Sequence, residues 1–336
     1  MTDTVPVIDI SGFENGDDLA RARIASTVSL ALERIGFFVI RGHDVNSQIV
    51  ADLRDSAWRF FDLPQAEKIL SRKPIKGAFR GYVAAYDENL SYTENQDLPP
   101  DLKEFFAFGQ FDYGDDPYYR QPFADVAFPP NIWPERPVEF KTAATGFYRE
   151  MEVLTERVLR IFEKALGLNE GFFRDKFDHH AATVRLLNYP DQVENPLPGQ
   201  LRCGAHTDYG AITLLAVDSA PGSLQVLSRA GDWLDIPRMS NGFVLNIGDL
   251  MTAWTNDRWR SGLHRVVNPP RDATGSARRL SLAYFANPNY DAVVECLPTC
   301  LKAGRPPLYA PIKAGEHRLQ KILKSTGDLP LNATGR

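Results

Sequence analysis

The segment Gly204-Ala-His-Thr-Asp-Tyr-Gly-Ala-Ile-Thr-Leu-Leu215 joins an apolar run to two residues that commonly bind metal ions. Its second half is rich in apolar and β-branched side chains, which is typical of a buried strand. In an extended chain, residues i and i+2 point to the same face. We therefore expect His206 and Asp208 to present an imidazole and a carboxylate on one side of a strand end.

Similar short apolar runs surround this segment and are separated by Gly, Pro, Asn or Asp. They predict strands at residues 183–189, 211–217, 223–227, 233–236, 242–247, 250–254, 264–268 and 279–286. Several short strands at such spacing indicate a sandwich or a barrel. Because the predicted helices precede and follow this block, a doubly wound parallel sheet is excluded and an antiparallel double-sheet jelly roll is predicted.

The N-terminal part of the chain is predicted to be rich in helices. Strands are expected at 5–10 and 37–40, and apolar spacing predicts helices over 17–35, 48–62 and 137–166. Residues 71–135 carry many aromatic residues and prolines, and we expect an irregular lid or substrate wall there. A last helix is predicted over 315–324.

No interdomain linker or internal repeat is visible, so we expect one domain over residues 1–336. Within it, the predicted parts are a helix-rich region at 1–178, a jelly-roll core at 179–290 and a C-terminal segment at 291–336. The fold class is therefore mixed α and β, with a jelly-roll core, a helical N-terminal part and a C-terminal helix.

The bulk composition is that of a globular protein and argues against several classes of partner. The chain has 336 residues and a formal net charge of −5, with no run of one sign, so we expect no nucleic-acid partner. The longest apolar stretches are too short to span a membrane, and no signal peptide is visible. The odd number of cysteines argues against a disulfide framework, and Cys296 and Cys300, although four apart, have no second Cys or His pair to complete a zinc site. Cys203, Cys296 and Cys300 therefore predict free thiols and a cytoplasmic protein. The oligomeric state stays open.

His264 can complete a metal site with His206 and Asp208. It lies on a predicted strand, Leu263-His-Arg-Val-Val267, from which it can reach across the roll. Two His and one carboxylate on one side of an iron leave three positions open, whereas a structural zinc site is closed by four protein ligands. The sequence therefore predicts a metal site that binds further, exogenous ligands.

A second polar pair lies fifteen residues after His264, where Arg279-Leu-Ser281 begins an apolar strand. Arg279 and Ser281 share one face of that strand. A guanidinium and a hydroxyl together make a natural clamp for a carboxylate, and a buried Arg needs an anionic partner. The alternative is a salt bridge that merely closes the roll. Arg278 is expected on the opposite, exposed face.

The segments around these residues resemble the isopenicillin N synthase-like family of non-haem Fe(II)/2-oxoglutarate-dependent oxygenases. The similarity covers nearly the whole chain. It rests on residues 204–215 and on the following landmarks: Asn246-Ile-Gly-Asp249, His264-Arg-Val-Val-Asn-Pro269, Arg279-Leu-Ser-Leu-Ala-Tyr-Phe285, Val5-Pro-Val-Ile-Asp-Ile10, Gly36-Phe-Phe38, Arg80-Gly-Tyr82 and Ala314-Gly-Glu-His317.

This resemblance implies a double-stranded β-helix core, an Fe(II) cofactor, dioxygen and, in most members, 2-oxoglutarate as co-substrate. It implies that His206, Asp208 and His264 bind iron and that Arg279 and Ser281 hold the distal carboxylate of the oxo acid. Many relatives carry Asn-x-Tyr on the preceding strand. Here the segment reads Arg185-Leu-Leu-Asn-Tyr-Pro190, so Tyr189 is kept as a hydrogen-bond donor to the oxo acid and the Asn position becomes Leu187.

Four residues are candidates for contact with the primary substrate: Arg80, Tyr82, Phe106 and Phe285. Arg80 either binds an acidic group of the substrate or anchors its own loop. The expected reaction is hydroxylation, desaturation or ring closure of a small molecule, with release of succinate and carbon dioxide. Two alternatives stay open, a 2-oxoglutarate-independent oxidase of the isopenicillin N synthase type and a non-catalytic jelly roll that binds a small carboxylate.

Overall fold

A computed structural model of the chain describes residues 4–72, 77–192, 195–218, 220, 222–270, 275–301 and 306–330. The helices in these ranges are α1 (Gly12–Asn15), α2 (Asp18–Arg34), α3 (Ser47–Phe61), α4 (Gln65–Leu70), α5 (Ala124–Ala127), α6 (Phe140–Leu166), α7 (Arg174–Phe177), α8 (Asp249–Trp254) and α9 (Ala314–Ser325). Short 3-10 helices occupy Leu90–Glu94, Pro117–Arg120 and Pro298–Cys300.

The strands are β1 (Val7–Asp9), β2 (Phe37–Arg41), β3 (Gly81–Val83), β4 (Glu104–Gly109), β5 (Thr183–Tyr189), β6 (Cys203–His206), β7 (Ile212–Ala216), β8 (Leu224–Leu227), β9 (Trp233–Asp235), β10 (Phe243–Ile247), β11 (His264–Val266), β12 (Arg279–Ala286), β13 (Val293–Val294) and β14 (Ile312–Lys313). The large sheet has the order β1-β2-β10-β7-β12-β5-β4-β3, and the small sheet has the order β6-β11-β8-β9. β13 and β14 pair separately.

The predicted jelly roll with a helical N-terminal part and a C-terminal helix is confirmed. Apart from the parallel pair β1 and β2, the strand pairs of the described residues are antiparallel. The large sheet also crosses the boundary expected at residue 178, because β1 to β4 of the N-terminal part belong to it. The two parts of the chain thus share one sheet.

The two faces of the large sheet pack differently. In β12, Leu280, Leu282 and Tyr284 point toward the core that also contains α6 residues such as Phe147 and Met151. The alternate residues of β12 line a cavity between the two sheets. The period of two therefore places the polar β12 residues inside the roll and its large apolar residues against the helices.

Two segments differ from their predictions. Residues 250–254, predicted as a strand, form helix α8, because a short apolar run does not by itself distinguish a strand from a buried helix. The region 71–135, predicted as irregular, contains β3 and the fully buried β4. A strand buried on both faces shows no alternation of polar and apolar residues, which is why its pattern was not visible in the sequence.

No helix in the described part of the chain combines the length and the apolar character needed to cross a membrane. The longest, α6, is amphipathic and packs against α2 and α3.

Candidate metal centre and cavity

The three predicted metal ligands lie together at the edge where the small sheet faces the cavity. His206 ends β6, His264 begins β11, and the two residues are direct partners in the antiparallel pair. The Nε2 atoms of both histidines lie 3.8 Å from Oδ1 of Asp208. All three side chains are buried, and their ligand atoms lie within 4.8 Å of one another.

Backbone carbonyls orient both imidazole rings. Nδ1 of His206 lies 2.8 Å from the carbonyl oxygen of Gly204, and Nδ1 of His264 lies 2.9 Å from that of Gly262. A carbonyl oxygen can only accept, so each Nδ1 carries the proton and each Nε2 keeps its lone pair. Both lone pairs are therefore available to one ion.

The Asp208 carboxylate is held in the same way, by one of its two oxygens. Its Oδ2 accepts hydrogen bonds from Oγ1 of Thr213 at 2.5 Å and from Nδ2 of Asn246 at 2.6 Å. Oδ1 is left facing the two imidazoles. Thr213 and Asn246 were not among the predicted site residues, although both stand in the segments that carry the family resemblance.

The electrostatics of the site favour a bound cation. Burial, followed by the neighbouring His264, lowers the pKa of His206 to about 3, so its ring is neutral. Burial alone would raise the pKa of Asp208, but the two imidazoles and the two hydrogen bonds outweigh it and lower that pKa. The site therefore offers two imidazole nitrogens and one carboxylate on one side, which fits Fe(II) with open positions.

The cavity in front of this site has a volume of about 1100 Å³, including its opening to solvent. Its floor is built from alternate residues of β12 and β5. Arg279 pairs with Tyr189, Ser281 with Leu187, and Phe285 with Thr183. All six line the cavity, so Arg279, Ser281 and Tyr189 lie together at one end of the β12–β5 floor.

Arg279 is buried and is not in contact with a carboxylate in the part of the chain that the structure describes. Its Nη1 donates to the carbonyl oxygen of Gly222 at 2.7 Å, and its Nε lies 3.3 Å from Oγ of Ser281. These contacts fix the plane of the guanidinium beside the cavity. The neighbouring Arg278 points to the other face, as expected, but it is only partly exposed there, because it pairs with Asp62 and lies over the ring of Trp58.

The structure brings only two of the four substrate candidates to the cavity. Arg80 and Phe285 line it. Tyr82 and Phe106 lie in the core instead. The Tyr82 hydroxyl contacts Gln65 and Glu104, and the Phe106 ring packs against Phe60 and Phe140. Tyr82 is on β3 and Phe106 is on β4, and both side chains point to the face of the sheet that packs against the helices.

A buried charge network, not predicted from the sequence, forms one wall of the cavity. Lys103 contacts Asp101 and lies 3.1 Å from Glu88, which in turn accepts from Arg185 at 3.0 Å. Asp101 also accepts from the backbone N–H of Gly204 at 2.8 Å, two residues before His206. The network therefore ties the irregular N-terminal region to the strand that carries the metal site.

Comparison with known proteins gives matches along both parts of the chain. Residues 5–136 match the family described as non-haem dioxygenase in morphine synthesis N-terminal, and residues 181–288 match the 2OG-Fe(II) oxygenase superfamily. The 2-oxoglutarate-Fe(II) type oxidoreductase hxnY of Emericella nidulans is 36% identical over 312 residues, covering 91% of this chain and 86% of the relative.

Two further relatives cover the chain almost completely. Validamycin A dioxygenase of Streptomyces hygroscopicus subsp. limoneus is 32% identical, over 98% of this chain and 88% of the relative. The crystal structure of a full-length Neurospora crassa protein in complex with alpha-KG and thymine superposes with a TM-score of 0.82 at 32% identity, over 95% of this chain and 96% of that one. The chain belongs to the 2OG-Fe(II) oxygenase superfamily and is a 2-oxoglutarate- and Fe(II)-dependent dioxygenase.

Proposed function

We propose that His206, Asp208 and His264 are the iron ligands of this dioxygenase. The observation that carries the proposal is the orientation of the three side chains. Both Nε2 atoms face Oδ1 of Asp208, while every other polar atom of the triad is engaged by the protein. Such outer contacts fix ligand orientation and are typical of true metal sites.

We propose further that Arg279, Ser281 and Tyr189 hold the distal carboxylate of 2-oxoglutarate. Arg279 is a buried cation that contacts no carboxylate among the described residues, and a ligand carboxylate would remove the cost of that charge. Ser281 lies beside it on β12, and Tyr189 is its partner on β5. The three groups together supply a planar charged donor and two hydroxyls at one end of the cavity.

The chain's own contribution to the reaction is then binding, orientation and exclusion of water. Bound Fe(II) and 2-oxoglutarate supply the oxidising chemistry, with release of succinate and carbon dioxide and hydroxylation, desaturation or ring closure of the substrate. His206, His264 and Asp208 leave one side of the ion open. The apolar wall, including Leu187, Ala283 and Phe285, keeps bulk water from the reacting centre.

The sequence alone left open an alternative, oxidation without 2-oxoglutarate, in which Arg279 holds the primary substrate. The similar protein from Emericella nidulans is named a 2-oxoglutarate-Fe(II) type oxidoreductase, and the similar protein from Neurospora crassa was crystallised with alpha-KG. Both facts favour 2-oxoglutarate as the co-substrate of this chain. If 2-oxoglutarate is the co-substrate, the oxo acid and Fe(II) bind at the same site, and each increases the affinity of the protein for the other.

The metal assignment is tested by iron content after anaerobic loading and desalting. We expect Asp208→Ala to lose most of its iron, because two neutral imidazoles alone hold Fe(II) weakly. Asp249→Ala is the matched control. Asp249 is also largely buried, and its backbone N–H donates to the carbonyl oxygen of Asp208, but its carboxylate contacts His317 and Lys321 instead of the triad. Full iron occupancy in Asp208→Ala would remove the proposal.

The co-substrate assignment is tested by adding 2-oxoglutarate to the Fe(II) protein under nitrogen and determining a crystal structure. We expect a chelated oxo acid whose far carboxylate contacts Arg279. Binding of the oxo acid elsewhere, or its failure to bind to fully iron-loaded protein, would favour the alternative.

We also propose that residues 1–336 act as one domain, with the 1–178, 179–290 and 291–336 parts inseparable. The shared sheet and the placement of Arg80 and α9 residues in the cavity wall support this. A cytoplasmic location and the lack of a nucleic-acid partner are proposed from composition. The three free cysteines support the former, and the absence of a long run of one charge supports the latter.

A further inference from the structure

The cavity has a second cationic end, away from Arg279. Arg80 and Arg318 both line it, and only 3% and 7% of their surfaces are exposed. Arg80 comes from the N-terminal region just before β3, whereas Arg318 comes from the C-terminal helix α9. Two distant parts of the chain thus bring a guanidinium to the same place.

The Arg80 side chain is built into the wall by backbone contacts. Its Nε donates to the carbonyl oxygen of Pro129 at 3.1 Å, and its Nη1 donates to that of Phe79 at 2.8 Å. Its Nη2 lies where a side chain on Gly109 would stand, since a Cβ there would be only 2.4 Å away. Glycine at the end of β4 therefore leaves room for this guanidinium.

Arg318 is held at the start of β5, next to the same end of β4. Its Nη1 donates to the carbonyl oxygen of Ala181 at 2.7 Å, and that oxygen also accepts from Nδ2 of Asn287 at 3.0 Å. Burial, followed by the nearby charge of Arg80, lowers the pKa of Arg318 to about 10. The side chain is still charged at neutral pH.

Neither guanidinium contacts a carboxylate in the residues that the structure describes. The other buried cations on this side of the cavity differ in this respect. Arg185 lies 3.0 Å from Glu88, and Lys103 contacts both Glu88 and Asp101. Buried charges are normally paired because desolvation without compensation is costly. Arg80 and Arg318 are therefore the exception that needs an anion.

The charge balance of the whole cavity agrees with this. Three carboxylates face or back the wall: Asp208, Glu88 and Asp101. Five cations line the described part of the wall: Arg80, Lys103, Arg185, Arg279 and Arg318. Two positive charges remain. Fe(II) and the 2-oxoglutarate dianion cancel each other, so the excess persists when both are bound.

This second end lies at the opposite end of the β12–β5 floor from Arg279. Gly109 pairs with Thr183, which pairs with Phe285. Phe285 follows Arg279 by six positions on β12, which corresponds to roughly 20 Å between their backbone positions in an extended strand. Asp208 is tied to Thr213, which also pairs with Phe285. Asp208 is therefore tied to the same level of the large sheet as Phe285.

We propose that Arg80 and Arg318 form the subsite for a carboxylate of the primary substrate, which is therefore an organic acid. The proposal rests on the proposed function, because it takes the Arg279 end as the 2-oxoglutarate site. The wall of the same cavity carries Phe79, Phe285 and Ala283. An acid with an apolar or aromatic body fits this surface, with its carboxylate anchored and its body presented to the iron.

The ligand class is tested with pairs that differ only in charge: benzoate with benzamide, phenylacetate with phenylacetamide, and cyclohexanecarboxylate with its amide. Each is titrated into protein loaded with Mn(II) and saturating 2-oxoglutarate, which does not turn over, and thermal stability is followed. We expect the best acid to bind roughly tenfold or more tightly than its amide, the worth of one charge-assisted hydrogen bond. If no acid binds better than its amide, the proposal is overturned.

The residues are tested with Arg318→Met and, as matched control, Arg185→Met. Arg318→Met should lose the preference for the acid. Without any acid it should melt no lower than the unmodified protein, because an uncompensated buried charge is removed and Asn287 still satisfies the Ala181 carbonyl. Arg185→Met should melt lower, because it strips Glu88 of a partner. A fall in Arg318→Met as large as in Arg185→Met would identify Arg318 as a structural group and refute the subsite.

The same titrations separate this inference from the proposed function. 2-Oxoglutarate alone should stabilise the Mn(II) protein, and Arg279→Lys should weaken that effect while Arg318→Met should not. If 2-oxoglutarate fails to bind, the proposed function fails. If it binds but the charge pairs show no difference, only the carboxylate subsite is wrong.

Discussion

Removal of the Thr213 hydroxyl should weaken metal binding although Thr213 is not a ligand. Thr213 on β7 donates to Oδ2 of Asp208 at 2.5 Å, and this contact helps leave Oδ1 facing the metal position. Valine keeps the shape of threonine and removes only the donor, so Thr213→Val isolates this hydrogen bond. The buried carboxylate then keeps only Asn246 as a partner for Oδ2.

The size of the effect follows from the charge on the acceptor. A hydrogen bond to an ionised group contributes about 1.5–3 kcal/mol, which corresponds to roughly tenfold to over a hundredfold in a dissociation constant. Loss of such outer contacts typically weakens metal affinity by about 10–100-fold. We therefore expect Thr213→Val to raise the dissociation constant for Fe(II) or Mn(II) by at least about tenfold.

The assay is a metal titration of the metal-free protein under nitrogen, with Mn(II) as an air-stable probe. Thr213→Ser restores a hydroxyl and should recover most of the affinity. Thr155→Val is the matched control, because Thr155 is also buried but donates within α6 to the carbonyl oxygen of Met151. If Thr213→Val binds the metal as tightly as Thr155→Val, the Asp208 carboxylate does not depend on this contact and the reasoning is refuted.

Three further results are expected. Arg279→Lys should raise the apparent KM for 2-oxoglutarate by roughly tenfold to over a hundredfold, because Lys cannot make the planar paired contact. Ser281→Ala should raise the same KM by less, since a neutral hydroxyl contributes about 1 kcal/mol. If the variants keep their iron and show an unchanged KM in steady-state kinetics, the clamp is contradicted. Mn(II) or Ni(II) should occupy the site without turnover, because the ligand set accepts several divalent ions, and activity restored by zinc after iron removal would point to hydrolysis instead. Burial alone would raise the pKa of Glu88, but Arg185 and Lys103 lower that pKa to about 2. The ionised Glu88 therefore stabilises the fold fully above the pKa of about 4.3 that Glu has in the unfolded chain, and this stabilisation is lost as the pH falls toward 2. Glu88→Gln should therefore melt at a lower temperature than the unmodified protein at neutral pH, and its melting temperature should fall less between about pH 4.3 and pH 2. If the melting temperatures of the two proteins change in parallel with pH, the ion pairs of Glu88 contribute nothing to stability.

Local pattern was enough to predict most of the β-roll and two of the three candidate metal ligands, His206 and Asp208. The period of two along 279–286 correctly placed Arg279 and Ser281 on one face and Arg278 on the other, because a strand alternates its side chains whatever surrounds it. The His206-Thr-Asp208 spacing likewise put two ligands on one side before any partner strand was known. Such features depend on neighbours in sequence, which the sequence displays directly.

Contacts between distant segments were decided only by the tertiary structure. Nothing near Arg318 indicated that α9 would turn this residue into the cavity, and its helical pattern was equally compatible with an exposed face. The pairing of Lys103 with Glu88 and Asp101 also depends on how the N-terminal region crosses the roll. The sequence does not show whether a charged side chain is solvated or buried, and only a buried charge needs a partner of opposite charge.

The sequence by itself determined the roll, the shared face of His206 and Asp208 and the shared face of Arg279 and Ser281, because each follows from strand geometry and from residue types a few positions apart. The tertiary structure decided that Thr213 and Asn246 hold the Asp208 carboxylate and which substrate candidates reach the cavity. It also decided which buried arginines contact no carboxylate among the described residues. Tyr82 and Arg80 are two residues apart, yet one lies in the helix-side core and the other lines the cavity. Gly81, with a φ of 71°, separates them, and this backbone turn sends the two side chains into different surroundings, which the prediction of an irregular segment at 71–135 did not anticipate.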